Sequence, residues 1–144
     1  MAITQAICNT FKQQLFQAQH NFDAVGGDTF YLALYTSAAT IDASTTVYTT
    51  SNEVSSVGTN YPAGGGALTS LGVSLSSATA FLDFNDVTFP NVTLTARGCM
   101  IYNFTNANKA VAVFDFGSDK TATSGDFTVI FPAATAATAV IRLT

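Results

Sequence analysis

The chain has 144 residues, a length typical of one compact domain. Five basic residues against nine acidic ones give a net charge of −4, which excludes an extended nucleic-acid-binding stripe and a polybasic membrane anchor. Only 10% of the residues are charged, whereas about 25% is usual for a soluble domain. A surface so poor in charge predicts that other chains cover much of it.

The first element is predicted to be an amphipathic helix over residues 3–20, within an N-terminal segment of residues 1–25. Apolar side chains recur there at every fourth position, at Ile3, Ile7, Phe11 and Leu15. The opposite side is polar, and the turn residues Gly26-Gly27-Asp28 end the segment. We expect the apolar stripe to pack against a sheet or a neighbouring subunit.

Beyond these glycines, over residues 29–144, the pattern is typical of strands. Residues 29–36 are apolar on both faces, which predicts a strand buried on both sides. From Ala67 onward, short strands with turn residues between them recur about every ten residues. They are Ala67–Leu75, Thr79–Phe84, Val87–Phe89, Val92–Asn103, Lys109–Phe116, Asp126–Phe131 and Thr138–Leu143. The chain is therefore predicted to be a single mainly-β domain over residues 1–144, an antiparallel β-sandwich or jelly-roll-like barrel with one N-terminal α-helix.

Residues 37–66 are predicted to form a long exposed loop within this β body. Ser, Thr, Asn and Gly dominate the segment, which has only two charged residues and short candidate strands at Val47–Thr49 and Asn52–Ser55. Long loops in compact domains are usually functional, and Tyr is enriched at interfaces. We therefore expect this loop to make many intermolecular contacts, with Tyr48 and Tyr61 among them. A flexible surface loop is the alternative.

Residues that carry enzyme chemistry are sparse. His20 is the sole histidine, Glu53 is the sole glutamate, and Trp is absent. Four aspartates near predicted strand ends lack the spacing of a calcium loop, so turn and surface roles are favoured over a calcium site. They are Asp83, Asp86, Asp115 and Asp119. The run Gly64–Gly66 lacks the Lys-Ser/Thr of a phosphate-binding loop. We predict no enzyme activity, no cofactor and no metal site, and the end of the predicted helix favours a surface or capping role for His20.

The two cysteines, Cys8 and Cys99, are too far apart in sequence for a metal motif or a redox CxxC pair. Two buried thiols are favoured, and a disulfide between the N-terminal segment and a core strand is the alternative. Residues 1–6 have no basic region followed by an apolar stretch, so no secretory signal is predicted. No apolar run approaches the length needed to span a bilayer.

Arg97 lies in the middle of a predicted strand among apolar residues. Two interpretations remain open: an exposed position on an edge strand, and an ion pair across a subunit contact, since Arg is favoured at interfaces. The candidate interface residues are Phe11, Leu15, Tyr48, Tyr61 and Arg97.

Six segments carry a recognisable pattern: Thr29–Ser37 (TFYLALYTS), Val47–Ser55 (VYTTSNEVS), Tyr61–Gly65 (YPAGG), Thr95–Gly98 (TARG), Ile101–Asn103 (IYN) and Ala110–Gly117 (AVAVFDFG). In these segments, in the strand at 127–132 and in the terminal residues 139–143, the chain resembles a family of small virion proteins of tailed bacteriophages. The resemblance implies a structural component of the virion that assembles in the cytoplasm of the bacterial host. It carries no catalytic residues.

Three functional hypotheses follow. The first is a capsid decoration, or cement, protein that binds the outer shell and bridges neighbouring capsid subunits. Its partners are the major capsid protein or other virion proteins, and copies of itself in a homo-oligomer; neither nucleic acid nor a membrane is expected as a partner. The second is a tail, neck or fibre-associated virion protein. The third is a carbohydrate-binding β-sandwich that acts as a receptor-binding module. Its aromatic platform would come from Tyr31, Tyr35, Tyr48, Tyr61 and Tyr102.

Overall fold

The computed structural model describes residues 2–144, which are mainly β, with 48% strand and 6% helix. In chain order the elements are β1 (Ala6–Ile7), α1 (Asn9–Phe16), β2 (Phe30–Tyr35), β3 (Gly66–Ala67), β4 (Ser70–Ser76), β5 (Thr79–Phe84), β6 (Val87–Asn103), β7 (Lys109–Val129) and β8 (Ile141–Leu143). They form a five-stranded sheet in the order β1-β7-β6-β2-β3 and a three-stranded sheet in the order β4-β5-β8. The predicted class of antiparallel sheets with one helix is confirmed for this part of the chain. The jelly-roll-like barrel stays a prediction.

β2 belongs to the five-stranded sheet and packs against the three-stranded one. Five of its six residues are buried and Tyr31 is half-buried, which confirms the predicted strand with two covered faces. Phe30 in β2 lies against Phe84 in β5, with ring centroids 5.9 Å apart. Phe22 stacks on Phe30 at 4.3 Å. The contact between sheets is therefore aromatic, and the arrangement fits a β-sandwich.

β6 and β7 form one long hairpin. They pair from the turn at residues 104–108 to their far ends at Val87 and Val129. The turn signals at Pro90-Asn91 and Ser124-Gly125 were expected to end strands, but both lie inside strands. Register shifts next to both absorb the extra residues as bulges, and both contain a residue with positive φ. Four predicted short strands are therefore two long ones.

The helix is shorter than the predicted span of residues 3–20. Ile3 forms a bridge with Ile41, and Ala6–Ile7 pair with β7, so the backbone before Cys8 is extended. Phe11 is the buried residue of α1. Phe11 of the predicted apolar stripe is buried on the helix as expected. Ile3 and Ile7 pack from extended backbone instead of from a helix face. Met1 lies outside the described residues.

Residues 37–66 contain no helix or strand before Gly66 and many of them are exposed, as predicted for a loop, but the segment packs as a layer on the five-stranded sheet. Ala39, Ile41, Val54 and Tyr61 are buried against the five-stranded sheet. The expected short strands shrink to single bridges, which join Val47 to Lys109 and Glu53 to Tyr35. The outer positions of this layer are mostly Ser, Thr, Asn and Gly, with Val47 and Val57 also exposed, whereas the four buried side chains point inward. Within residues 2–144, no helix has the length and apolar character needed to cross a membrane.

Candidate interaction surface

Glu53 holds the 37–66 layer in place. Its Oε2 accepts a hydrogen bond from the Tyr48 hydroxyl at 2.5 Å, and its Oε1 accepts from the Tyr61 hydroxyl and the Gly64 N–H, both at 2.8 Å. The Tyr61 oxygen in turn accepts the Leu34 N–H of β2 at 2.9 Å. Because its two oxygens already accept three hydrogen bonds, this carboxylate serves structure and leaves little capacity to act as a general base.

The tyrosines around Glu53 are held in the protonated form. Burial, followed by the hydrogen bond and the charge of Glu53, raises the pKa of Tyr48. Burial is also the main cause that raises the pKa of Tyr61, and that of Tyr102 to about 12. These hydroxyls therefore donate hydrogen bonds at neutral pH and are poor nucleophiles.

Four aromatic rings form a continuous row of ring contacts, which we call the aromatic row: Tyr48, Tyr102, Tyr31 and Phe104. Tyr48 stacks on Tyr102 at 4.6 Å, Tyr102 lies 5.9 Å from Tyr31, and Tyr31 stacks on Phe104 at 4.6 Å. Tyr102 is buried, whereas Phe104 is 54% exposed in the turn between β6 and β7. The row therefore presents one exposed aromatic face at its Phe104 end.

Two of the five candidate interface residues lie in the core. Phe11 and Tyr61 are each 1% exposed, because Phe11 packs on Phe22 and Tyr61 packs on Phe89. This burial within the chain corrects the expectation that a partner contacts them. Leu15 and Tyr48 are half-buried, and their interface role stays a prediction.

Arg97 forms its ion pair within the chain. Its Nε donates to Oδ1 of Asp115 at 3.1 Å, because the register of β6 and β7 sets Gly98 opposite Asp115. The N–H of Gly117 and then Arg97 hold the pKa of the Asp115 carboxyl below its usual value. Of the two open interpretations, an ion pair does form, but between neighbouring strands of the same chain. Arg97 lies one residue beyond the part of β6 that pairs with β2 and is half-buried.

His20 belongs to a buried polar network instead of the surface. It is 9% exposed, with Nε2 2.8 Å from Oε1 of Gln14 and Nδ1 3.0 Å from Nδ2 of Asn103. The Asn103 amide also donates to Oδ2 of Asp28 at 2.7 Å. This arrangement requires a neutral ring with its hydrogen on Nε2, and burial lowers the pKa of His20 to about 4. The network fastens the segment after α1 to the end of β6.

The remaining groups of chemical interest do not converge. No cluster of three or more His, Cys, Asp or Glu side chains within residues 2–144 is arranged to hold a metal ion. Cys8 and Cys99 are buried and not bonded to each other, and burial raises the pKa of Cys8 to about 11. Asp86 is exposed in the expected turn between β5 and β6, and its carboxylate also accepts the Phe131 N–H at 2.8 Å. Asp83 is instead 1% exposed, and burial raises the pKa of its carboxyl.

Apolar side chains remain exposed at the open end of the three-stranded sheet. A cavity of about 430 Å³ lies between α1 and this sheet, with Leu15 on one side and Leu82 on the other. Val73 and Leu143 line it and are 54% and 60% exposed, and Leu75, two residues after Val73 in β4, is 74% exposed. Sequence reasoning missed this surface, because the same alternation predicts a strand whether its apolar face is covered or open.

Comparison of the chain with protein-family models, with curated proteins and with solved structures gives no match.

Proposed function

We propose that this chain is a structural protein of a tailed-bacteriophage particle, a capsid decoration protein that binds the outer shell and bridges neighbouring subunits. The proposal combines the resemblance of segments such as Thr29–Ser37 and Ala110–Gly117 to small virion proteins with a surface suited to permanent association. A tail, neck or fibre-associated position in the same particle is the nearest alternative.

The observation that carries the proposal is the exposure of large apolar side chains on a charge-poor chain. Six of them in the described residues are at least 60% exposed: Phe16, Val25, Val57, Leu75, Ile130 and Leu143. Interface cores are depleted in charge and enriched in apolar groups. Only 10% of this chain is charged, so little charge is present to keep these side chains soluble in a free monomer. Contact with a shell would cover them.

The 37–66 layer offers an attachment element that is ordered before binding. The hydrogen bonds of Glu53 hold it against the sheet, and its outer tip carries Val57, which is 85% exposed. A preorganised tip loses less conformational entropy on binding than a flexible loop does. Residues 55–58 at this tip are all exposed, whereas Tyr61 is buried and does not reach a partner.

Particle occupancy tests the proposal. We expect the purified chain to co-sediment with shells that lack it, and electron-microscopy reconstruction to show its density on the outer lattice. A decoration protein has a copy number comparable to that of the shell subunit, whereas a neck or tail protein is present in a few copies. Failure to bind shells, together with absence from washed particles, would refute a virion role.

A pair of variants tests the attachment tip. Val57→Asp places a charge at the exposed tip, and we expect it to reduce shell occupancy without unfolding the chain. Thr123→Asp adds the same charge at an exposed position in β7 and serves as the control. Equal occupancy for both variants would exclude the tip as the attachment element.

Carbohydrate binding is a second candidate function, and the aromatic row favours it. The exposed face of Phe104, stacked on Tyr31, is the kind of amphipathic platform on which a sugar ring packs. Binding on a glycan array that Phe104→Ala abolishes would support this function. Absence of any signal on the array would remove it.

A further inference from the structure

The three-stranded sheet has an open edge along β4. In the order β4-β5-β8, β4 pairs with β5 on one side only. Within residues 2–144, Val73–Ser76 make no backbone hydrogen bond beyond this pairing. An edge strand presents a row of free N–H and C=O groups that can template another strand.

The other edges of the fold are protected. β1 and β3 have two residues each, and β8 has three, with Arg142 in its centre. The outer edge of β6 is covered where the Thr93 N–H donates to the Thr59 oxygen at 3.0 Å. β7 is bulged, and it carries Asp119 and Lys120. Short strands, bulges and charges are the usual devices against unwanted pairing, and the straight part of β4 has neither a charge nor a proline.

The side chains at this edge are apolar on one face and small and polar on the other. Val73 lies opposite Leu82, and Leu75 lies opposite Ala80, so both belong to the apolar face of the sheet. Ser74 alternates with them and is exposed on the other face. The apolar face therefore runs to the edge of the sheet and stops there without cover.

We propose that two copies of this chain associate through their β4 strands, paired antiparallel with Ser74 opposite Ser74 of the second copy. The segment Val73-Ser74-Leu75 is self-complementary in this register, because each Val73 faces Leu75 of the other copy. The pairing lies clear of the bulge at Gly72, where φ is +85° and the register shifts. The result is one six-stranded sheet with a continuous apolar face.

A second copy fits this edge better than an unrelated partner for two reasons. The edge carries no charge that would select a complementary charged strand, and its pattern reads the same in both directions around Ser74. A two-fold contact requires this property, since the same patch serves both subunits. The association does not depend on the proposed virion role.

Oligomeric state tests the inference. In sedimentation velocity at concentrations up to about 100 µM, the fraction of wild-type dimer should rise with protein concentration. Leu75→Lys should weaken dimerisation at least about tenfold, because it places a charge at the contact. Ile130→Lys is the matched control, since Ile130 is 75% exposed and Leu75 is 74% exposed. A wild-type chain that stays monomeric, or equal effects of the two variants, would overturn the proposal.

Cysteine cross-linking tests the register independently of stability. Paired Cα atoms in an antiparallel ladder lie about 4.5–5.5 Å apart, which a disulfide can bridge. Ser74→Cys should therefore give a covalent dimer on oxidation, whereas Val73→Cys should not, because its two copies are offset along the strands. The native Cys8 and Cys99 are buried, so the wild-type chain serves as the control for cross-linking through them. Cross-linking through Val73→Cys alone, or through neither variant, would overturn the proposed pairing.

Discussion

The Tyr61 hydroxyl lies 2.8 Å from Oε1 of Glu53 and fastens a segment that is rich in Ser, Thr and Gly to the core of the protein. The same hydroxyl accepts the Leu34 N–H, so one ring joins the 37–66 layer to β2. One carboxylate and one buried phenol thus join the layer to the core. The order of the layer comes from these contacts, from backbone hydrogen bonds such as Val54 N–H to the Leu34 oxygen, and from a few buried apolar side chains. Its own residues have little tendency to form strands or helices.

Replacement of Glu53 by Ala should destabilise the protein by roughly 3 kcal/mol. The substitution leaves the Tyr48 and Tyr61 hydroxyls and the Gly64 N–H without their acceptor, at about 1 kcal/mol for each group. Urea unfolding measures the loss. Asp119→Ala removes an exposed carboxylate and should change the free energy of unfolding by less than about 0.5 kcal/mol. Similar values for the two variants would contradict the anchoring role of Glu53.

Two phenylalanines of α1 should respond very differently to truncation. Phe11 is 1% exposed, and Phe11→Ala should cost about 3–5 kcal/mol through lost burial and the cavity that remains. Phe16 is 96% exposed, so Phe16→Ala should cost less than about 0.5 kcal/mol. Thermal and urea unfolding of both variants provide the comparison. A small effect at Phe11 would mean that the helix does not pack on the core as described.

Alanine substitutions at two glycines with positive φ distinguish the cost of backbone strain from the cost of steric overlap. At Gly58 a Cβ would meet open space, so Gly58→Ala should cost about 1 kcal/mol for the left-handed backbone alone. At Gly65 a Cβ would overlap the backbone carbonyl of Leu32, so Gly65→Ala should cost at least about 3 kcal/mol or prevent folding. Circular dichroism and urea titration distinguish these outcomes. Equal tolerance at both sites would disprove the close approach of the layer to β2.

Stability should fall as the pH decreases from about 6.5 to 4. Burial lowers the pKa of His20 from its ordinary 6.5 to about 4, with Asp28 opposing and Lys109 reinforcing the shift. Between these pH values His20 is protonated in the unfolded chain but neutral in the folded one. Its contribution to the free energy of unfolding is therefore fully present above pH 6.5 and is lost as the pH falls towards 4. The loss should approach about 2–3 kcal/mol.

His20→Gln tests this pH dependence, because it removes the titrating group. The unfolding free energy of the variant should vary less over this range, whatever its value at neutral pH. Asp42 and Asp115, whose carboxyl pKa values lie below their usual 3.8, contribute only at lower pH. An identical slope in the wild type and the variant would assign the pH dependence to other groups.

Local sequence pattern was sufficient for elements whose signal lies within a few residues. The apolar run of β2 predicted a strand covered on both faces, and Thr79–Phe84 coincides with β5. Periodicity placed a helix near the N-terminus, but it overestimated the length of α1. Among the candidate interface residues, the pattern identified chemically distinctive side chains, such as Arg97 and Tyr61, and left their partners open.

Long-range pairing decided the rest. Ile3 is buried because Ile41 lies beside it, and the turn signal at Pro90-Asn91 becomes a bulge because β7 continues alongside. The Tyr61 hydroxyl can be buried because Glu53 accepts its hydrogen bond. Composition alone predicts a loop for residues 37–66, because this hydroxyl-rich segment lacks the apolar periodicity that would indicate a helix or a strand. Register, burial and the acceptors of buried donors depend on residues distant in the chain, and they are established only when the sheets assemble.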